Sequence, residues 1–439
     1  MSTCILWFRN NLRLGDNAPV LQAYNTFETV IPVYFIPTAD QIDSWGNPTI
    51  GAWREQFLHD AAMDLREKLR EYGSDLLLLE GDPVTTLKEL AATFETNAIY
   101  APKELAAYEV HEQLQLNLWG KSEGIEVKFF LERTLYQPDD FPFSLENMPQ
   151  VFSPFRRKLE KYAAPRKAWE EPIISPADVS SFAQLQGFWE VRTPAPDERT
   201  AFPYRGGVRE AWRALEDYFW EGEQAVQVYK ETRNGMLGRS FSSKFSPFLA
   251  IGCISAAQVM DELDQFEERH TSNDSTYWLF IELLWREFFQ WTAYNAGKLL
   301  FMPTGLQPEK PWKPHFNKRK YEQWKNGETG DPLVDANMKE LLATGFMSNR
   351  GRQNVASYLI HDLGLDWRSG AAWFESQLID FDPASNYGNW LYIAGRGNDP
   401  RPFRKFNTKM QLERYDPDHS YVNTWLNQCT FPTWIGRIY

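Results

Sequence analysis

Glu282, Trp285 and Arg286 form the first group of side chains that could do chemistry. They lie three and four residues apart in a long apolar run, so on a helix they would share one face. An exposed Glu–Arg pair beside a core tryptophan is common and contributes little stability. A carboxylate buried against aromatic rings would instead have a raised pKa and could act as an acid or a hydrogen-bond partner. The spacing alone leaves both interpretations open.

A second group combines two carboxylates with an amide and two aromatic rings. Asp380, Asp382 and Asn386 are followed closely by Trp390 and Tyr392. Aspartate and asparagine favour helix N-caps, which is the simpler interpretation. Two aspartates separated by one residue also occur in sugar-nucleotide transferases that bind a metal, since hard cations prefer oxygen ligands. Because no third acidic residue accompanies the pair, we predict no metal site here.

Two further polar segments could bind anions. Asn349 and Gln353 are i, i+4 neighbours at the head of a predicted helix, with Arg350 and Arg352 between them. Arginine at a helix N-terminus costs stability unless an anion is present, because it adds to the positive end of the helix dipole. The turn at 241–246 supplies hydroxyls and backbone N–H groups that could hold a phosphate, or could simply cap a helix.

A basic stretch follows the aromatic pair. Residues 396–414 contain six arginines and lysines against Asp399 and Glu413, for a net charge of +4. Basic patches on an acidic protein are usually solvated surfaces, but this one follows Trp390 and Tyr392 directly. Its position also suits a nucleic-acid backbone beside a base-stacking site.

Alternating apolar runs and helical patterns dominate the first 135 residues. The apolar runs are typical of buried strands, and stretches such as 53–72 place apolar residues on one helical face. Five strands alternating with helices predict a five-stranded parallel, doubly wound α/β sheet covered on both faces. Neither a G-x-G-x-x-G motif nor a phosphate-binding P-loop occurs. The predicted strands cover residues 3–8, 29–35, 75–79, 98–101 and 126–131.

The rest of the chain divides into a linker and a helical part. Residues 136–204 are rich in proline and contain one short predicted helix at 155–162, which indicates a long interdomain linker. Beyond the linker helical periodicity prevails and strand signals disappear. We therefore predict an α/β domain over 1–135 and an all-helical domain over 205–439. The predicted helices of the second domain lie at 208–219, 256–266, 275–293, 338–342, 351–363 and 371–378.

Composition narrows the class of protein. The 439 residues carry a net charge of −13, but residues 1–200 hold 19 basic and 30 acidic residues, whereas 201–439 hold 27 and 29. Most of the negative charge therefore lies in the first half of the chain. The second half is nearly neutral, so its charge does not exclude an anionic partner such as nucleic acid. No apolar run of about 18 residues predicts a membrane span, and the N-terminus has no secretory pattern. Three separated cysteines favour a reducing cytoplasm and provide neither a zinc site nor a disulfide framework.

Seven segments occur in the order found in the photolyase/cryptochrome family, and the sequence most resembles the cryptochrome DASH branch of that family. The resemblance covers nearly the whole chain and is most specific over 229–414. No single segment would identify the family. The occurrence of all seven together favours the functional interpretations over helix capping and surface charge pairs. The segments are YKETRNGM at 229–236, SSKFS at 242–246, ELLWRE at 282–287, TG and DANM within 329–338, GFMSNRGRQNVAS at 345–357, DWR at 366–368 and the run 380–399.

The resemblance implies an N-terminal antenna domain and a C-terminal helical domain that holds FAD in a U-shaped conformation. Arg352 would pair with Asp380 beside the isoalloxazine ring. Asp382 would accept a hydrogen bond from the ring edge, and Asn349 would face N5, where the surroundings tune redox behaviour. The residues implied to bind FAD are Tyr229, Ser242, Ser243, Lys244, Phe245, Ser246, Glu282, Arg286, Asn349, Arg352, Asp380, Asp382 and Asn386.

The resemblance also implies a light-driven reaction on DNA. Excited, reduced FAD would donate an electron to a cyclobutane pyrimidine dimer, which would return it after the ring splits. Glu282 would bind the damaged bases. Tyr392 and Gln353 replace the tryptophan and methionine of many duplex-acting relatives, which implies a preference for single strands, where flipping a lesion costs less. The implied catalytic residues are Glu282, Asn349, Trp285 and Tyr392, and the implied DNA contacts are Trp285, Arg350, Gln353, Tyr392 and Arg404.

Two accessory systems follow from the same resemblance. Trp390 and Trp367 match the inner members of the family's tryptophan chain for photoreduction of FAD. Trp312, twelve residues before Trp324, is the predicted outer member. Glu104, which follows the fourth predicted strand, is the predicted contact of a 5,10-methenyltetrahydrofolate antenna in the cleft between the domains.

The leading hypothesis is therefore a photolyase-type carbon–carbon lyase that acts on DNA containing pyrimidine dimers. We expect it to be a monomer that does not associate with a membrane. A blue-light signalling photoreceptor is the alternative, and it would keep FAD but act through a protein partner. A D-x-D transferase lies outside the family and would be colourless and dependent on Mn²⁺. The absorption spectrum of the purified protein separates the third possibility from the first two.

Overall fold

The N-terminal part of the chain is an α/β sheet domain, and helices make up the C-terminal part. This arrangement confirms the predicted fold class. The computed structural model describes residues 2–38, 41–177, 182, 184–191, 194–195, 197–397 and 404–426. Among these residues, no helix has both the length and the apolar character needed to cross a bilayer.

Five parallel strands form the sheet in the order β3-β2-β1-β4-β5. The neighbours β1 and β4 continue toward opposite edges, so their carboxyl ends mark the point where the strand order reverses. The strands are β1 (Thr3–Phe8), β2 (Thr29–Phe35), β3 (Leu77–Leu79), β4 (Ala98–Pro102) and β5 (Glu126–Phe130). The helices between them are α1 (Ala18–Thr26), α2 (Ala52–Glu71), α3 (Pro83–Thr93) and α4 (Ala107–Glu123).

Alternate residues of β1 enter different apolar cores, as the two-residue period of a strand requires. Cys4 and Leu6 belong to one core, and Ile5 and Trp7 belong to the other. Both faces of the sheet are therefore buried. The first of these cores continues into the helical part through Trp291, so apolar packing joins the two parts of the chain.

The linker covers the β3 edge of the sheet. Gly187 donates its backbone N–H to the Leu78 carbonyl at 2.7 Å. A Cβ at this position would lie 2.9 Å from the same oxygen, so the close approach requires glycine. This contact satisfies a strand edge that would otherwise expose unpaired backbone groups.

Helices account for the regular structure of the described residues from 205 onward. The longest, α10, begins after Asn273, whose side chain accepts hydrogen bonds from the N–H groups of Ser275 and Thr276. The predicted helix 351–363 is divided, because a π-helical turn occupies Tyr358–Asp362. The helices are α5 (Phe152–Tyr162) in the linker, then α6 (Val208–Phe219), α7 (Tyr229–Thr232), α8 (Ser246–Ile251), α9 (Ala256–Arg269), α10 (Asp274–Ala296), α11 (Lys318–Lys325), α12 (Pro332–Thr344), α13 (Asn349–Ser357), α14 (Trp367–Gln377), α15 (Pro383–Ile393), α16 (Thr408–Tyr415) and α17 (Ser420–Leu426).

Candidate functional site

A cavity of about 300 Å³ lies among the helices, bounded by α7, the 242–246 turn, α10, α13 and α15. Every residue that the sequence predicted as an FAD contact lines it, together with Gln353 and Trp390. The predicted contacts come from segments far apart in the chain, so the fold brings them together. Whether each contacts FAD stays a prediction.

Arg352 and Asp380 form an ion pair in the cavity wall, with 2.8 Å between Nη2 and Oδ2. The Arg352 Nε also donates to the Met347 carbonyl at 2.9 Å, which fixes the guanidinium. The other oxygen of Asp380, Oδ1, is buried and has no hydrogen-bond partner among the described residues. An unpaired buried acceptor is costly, so this atom indicates a ligand that donates a hydrogen bond here.

Asp382 caps a helix, as the simpler interpretation of its sequence context predicts, and it also lines the cavity. It begins α15 by accepting a hydrogen bond from the Ser385 N–H at 2.7 Å, and Gln290 donates to both of its oxygens. Arg133 adds an ion pair at 2.8 Å. Burial alone would raise the pKa of Asp382, but Arg133 and Arg286 hold it below its ordinary value.

Neither aspartate is arranged as a cation ligand. Asp380 is bonded to Arg352, and Asp382 is bonded to Arg133. Within the described part of the chain, no group of three histidine, cysteine or acidic side chains could hold a metal ion. The D-x-D transferase interpretation therefore gains no support from the geometry.

The 242–246 turn lines one end of the cavity with the side chains of Ser242, Ser243 and Ser246. Lys244 sits in the left-handed backbone region, with φ +54°, and its Nζ donates to the Arg239 carbonyl at 2.5 Å. Burial lowers the pKa of Lys244 to about 7. Because the ammonium of Lys244 is bonded to backbone carbonyls, the serines of this turn are better placed than the lysine to serve an anionic ligand.

Glu282 does not pair with Arg286, although the two are i, i+4 neighbours. Its carboxylate instead accepts a short hydrogen bond from Arg233, just beyond α7, and Arg286 donates to the Arg133 carbonyl at 2.6 Å. The interpretation as an isolated helix-surface pair is therefore wrong. Burial raises the pKa of Glu282, and Arg233 opposes that rise. Arg233 was missed because nothing in the sequence links positions 49 residues apart.

Trp285 and Tyr392 meet in an edge-on contact, with ring centroids 6.2 Å apart. Phe152 of the linker helix stacks on the other side of Trp285 at 3.7 Å, a partner that the sequence did not indicate. The Arg404 guanidinium lies 4.2 Å from the centre of the Tyr392 ring and donates to its hydroxyl. Three of the predicted DNA contacts are thus adjacent, in an aromatic and basic cluster suited to stacked bases.

Arg350 and Gln353 lie near one another on α13. Arg350 donates to the Gln353 Oε1 at 2.9 Å and to the Asn234 Oδ1 at 2.7 Å, and its guanidinium lies 4.7 Å from the Tyr415 ring. Ser348 caps the helix by accepting from the Gly351 N–H. The predicted basic stretch also includes residues 398–403, which lie outside the described residues.

The three predicted electron-transfer tryptophans occupy different surroundings. Trp390 lines the cavity and is 2% exposed. Its ring meets Phe374 at 5.2 Å and Trp324 at 6.3 Å, and the second contact was not predicted. Trp367 is buried and donates to the Pro303 carbonyl. Trp312 lies 4.9 Å from the Arg396 guanidinium, whose charge disfavours a positive hole on that ring.

Glu104 lies at the carboxyl end of β4 and is fully buried. It accepts from Asn10 Nδ2 at 3.0 Å and forms an ion pair with Arg133 at 2.7 Å. The sequence indicated neither partner. Its contact with a folate antenna stays a prediction.

Comparisons with known proteins agree with this architecture. The family described as FAD binding domain of DNA photolyase matches residues 278–431, and the family described as DNA photolyase matches residues 4–173. A cryptochrome DASH of Gloeobacter violaceus is 42% identical over 433 residues, which cover 97% of this chain and 85% of that relative. The chain therefore belongs to the photolyase/cryptochrome family.

Solved structures extend the likeness to the whole fold. The crystal structure of a Synechocystis cryptochrome has a TM-score of 0.90 and 40% identity, over 97% of this chain and 89% of that one. A bacterial class III photolyase from Agrobacterium tumefaciens has a TM-score of 0.80 and 29% identity, over 97% and 87%. Identity of about 40% over nearly the full chain to relatives named cryptochrome DASH sets the protein within that branch.

Proposed function

We propose that this protein binds FAD in the cavity and uses blue light to split cyclobutane pyrimidine dimers, mainly in single-stranded DNA. The observation that carries the proposal is the continuity of one face of α10. Glu282 on that face lines the cavity, and Trp285, one turn further, meets Tyr392 outside it. The cofactor and a flipped-out pyrimidine dimer would therefore share a single wall.

The cavity fits FAD on the chemistry of its side chains. The unpartnered Oδ1 of Asp380 can accept a hydrogen bond, and Asp382 remains an ionised acceptor nearby. The serines of the 242–246 turn can serve the phosphates, and Asn349 can serve the ring. When bound, FAD would supply a light-driven electron that opens the cyclobutane ring and then returns, so the reaction has no net redox change.

The chain's own residues would bind and orient the lesion. Glu282 would hydrogen-bond the pyrimidine ring; burial raises its pKa, and the ion pair with Arg233 opposes that rise. Trp285 and Tyr392 would stack on the bases, and Arg404 would hold a neighbouring phosphate. Phe152 holds one side of Trp285 and thereby fixes the orientation of this wall.

A folate antenna, with Glu104 as its contact, stays a prediction from the sequence. A monomer acting in the cytoplasm remains our proposal for the working state. It is supported by a bacterial relative and by Cys4 and Cys253, which are buried free thiols that suit a reducing compartment.

Illumination of the reduced, FAD-loaded protein with a thymine-dimer oligonucleotide tests the proposal. We expect intact thymines to appear in the light and not in darkness. The variant E282A should lose at least tenfold in repair yield while retaining FAD. The matched control is E160Q, because Glu160 accepts from Tyr277 of α10 but lies outside the cavity lining. Retention of FAD without repair by the wild-type protein would instead favour a signalling photoreceptor.

A further inference from the structure

The crevice where the strand order of the sheet reverses is closed by a buried carboxylate. Doubly wound sheets usually bind ligands at this place, outside the carboxyl ends of the strands. Here Asn10 follows β1 and Glu104 follows β4, and the two side chains hydrogen-bond at 3.0 Å. Gln113 of α4 donates to the Glu104 carbonyl as well. The crevice is therefore occupied by the protein itself.

Arg133 connects this crevice to the candidate FAD cavity. Its Nη1 lies 2.7 Å from Glu104 Oε2, and its Nη2 lies 2.8 Å from Asp382 Oδ2. The three side chains are 8%, 1% and 6% exposed, respectively, so water screens neither ion pair. Arg133 Nη2 also donates to the Ala250 carbonyl at 2.9 Å, which fixes the guanidinium against α8.

The charges around this chain make Arg133 the critical member. Asp382 faces the positive groups of Arg133 and Arg286. Arg133 faces Glu104, Asp382 and Glu109, whose pKa is raised to about 8 by burial and by the neighbouring Glu104. Removing Arg133 would leave two buried carboxylates without their shared cation, which is strongly unfavourable.

We propose that Arg133 is a positioning residue of the FAD site, held by Glu104 and in turn holding Asp382 at the cavity wall. The α/β domain thereby contributes to cofactor binding through two consecutive ion pairs. The inference rests on the proposed binding of FAD to this cavity.

The test compares three variants by the dissociation constant of FAD from the full-length protein. R133M should weaken FAD binding at least tenfold, and R133K should recover most of the loss because it restores the cation. E104Q should weaken binding by a smaller factor, about threefold, since Arg133 keeps Asp382. The control R166M removes a comparable ion pair, because Arg166 binds Asp16 at 2.6 and 3.0 Å away from the cavity.

An infrared measurement gives a readout that a merely structural role would not move. In the wild type, the carboxyl band of protonated Asp382 should be absent at neutral pH. Loss of Arg133 should raise the pKa of Asp382, so the band should persist to higher pH in R133M than in the wild type and be missing from the double variant R133M/D382N. If R133M fails to fold, E104Q carries the test, and wild-type FAD affinity in E104Q would overturn the inference.

The two hypotheses fail in different ways. If the wild-type protein binds no FAD, the proposed function is wrong. If it binds FAD and R133M binds equally well, only the role of Arg133 is wrong. Equal losses in R133M and R166M would also overturn it, because they would show general weakening of the domain interface.

Discussion

The guanidinium of Arg352 and the carboxylate of Asp380 lie 2.8 Å apart in the cavity wall, and the second Asp380 oxygen is buried without a partner. This half-satisfied pair is the clearest mark of a ligand site in the cavity. Arg352 orients the carboxylate through this ion pair, and the free oxygen is left to accept from a bound group.

Substitution D380N should weaken FAD binding. Hydrogen bonds to charged groups contribute about 1.5–3 kcal/mol, which corresponds to a roughly 10- to 100-fold higher dissociation constant. Fluorescence titration of the apoprotein with FAD measures this dissociation constant. The control is D75N, because Asp75 also pairs with arginines, Arg66 and Arg70, but in the α/β domain. An unchanged D380N affinity would remove Asp380 from the site.

Arg233 should set the pH range of repair through Glu282. Burial raises the pKa of Glu282, and the nearby Arg233 lowers it. Loss of the cation in R233M should raise the pKa further, so the protonated form would persist to higher pH. If that form binds the lesion, the alkaline limb of the repair profile should move to higher pH.

Lys230 offers a matched control for that experiment. Its ammonium lies 5.5 Å from the Trp278 ring, and the Arg233 guanidinium lies 5.1 Å from the same ring, but Lys230 pairs with Asp274. K230M should therefore leave the pH profile in place. A shift in K230M equal to that in R233M, or none in either, would contradict the assignment.

Trp390 should be required for photoreduction of bound FAD. Its indole lines the cavity, and phenylalanine cannot supply an electron as readily. In W390F, light-driven reduction with an external thiol should be at least tenfold slower, while FAD remains bound. W373F is the control, because Trp373 is buried in the same core but packs on Lys325. A wild-type rate of photoreduction in W390F would rule out Trp390 as the residue that donates the electron to FAD.

Buried Glu287 should make stability depend on pH. Burial raises its pKa from 4.5 to about 7, against the hydrogen bonds from Leu135, Tyr136 and Trp291. Between pH 4.5 and 7 the folded state holds a proton that the unfolded state has lost. The free energy of unfolding therefore falls as the pH rises through this range. The upper limit of the change is about 3 kcal/mol, at 1.36 kcal/mol for each pKa unit.

Comparison with E287Q isolates that effect, because the amide does not ionise. Urea unfolding at pH 5 and pH 8 should show the stability of the wild type falling relative to E287Q. The exposed pair Lys68–Glu71 supplies a control variant, E71Q, in which the pKa of the replaced carboxyl lies below its ordinary value. A wild-type-to-E287Q difference that is the same at both pH values would refute the prediction.

Hydrophobic periodicity predicted the strands of the sheet and several of the helices, and the short motifs predicted residues that line the cavity. The alternation along β1 and the motifs on α10 and α13 are local, and the structure follows them. The predicted strand 75–79 is shorter, because Asp75 binds Arg66 and Arg70 of α2 while the strand begins at Leu77.

Partnerships between distant residues could not be predicted. Glu282 binds Arg233 instead of its helical neighbour, and Arg133 joins Glu104 to Asp382 across 29 and 249 positions. No periodicity encodes such pairs, because they depend on how the domains pack. The pairing of Glu104 with Arg133 has the same origin, since the sequence position of Glu104 does not indicate the arginine that binds it.

The repair reaction itself tests the central claim most directly. The reduced, FAD-loaded protein is illuminated with thymine-dimer oligonucleotides of one sequence, single-stranded and duplex, and the released intact thymines are quantified against dark controls. Our account predicts light-dependent repair of both, with a higher rate on the single strand. Absence of light-dependent repair on either substrate, in a protein that holds reduced FAD, would contradict it.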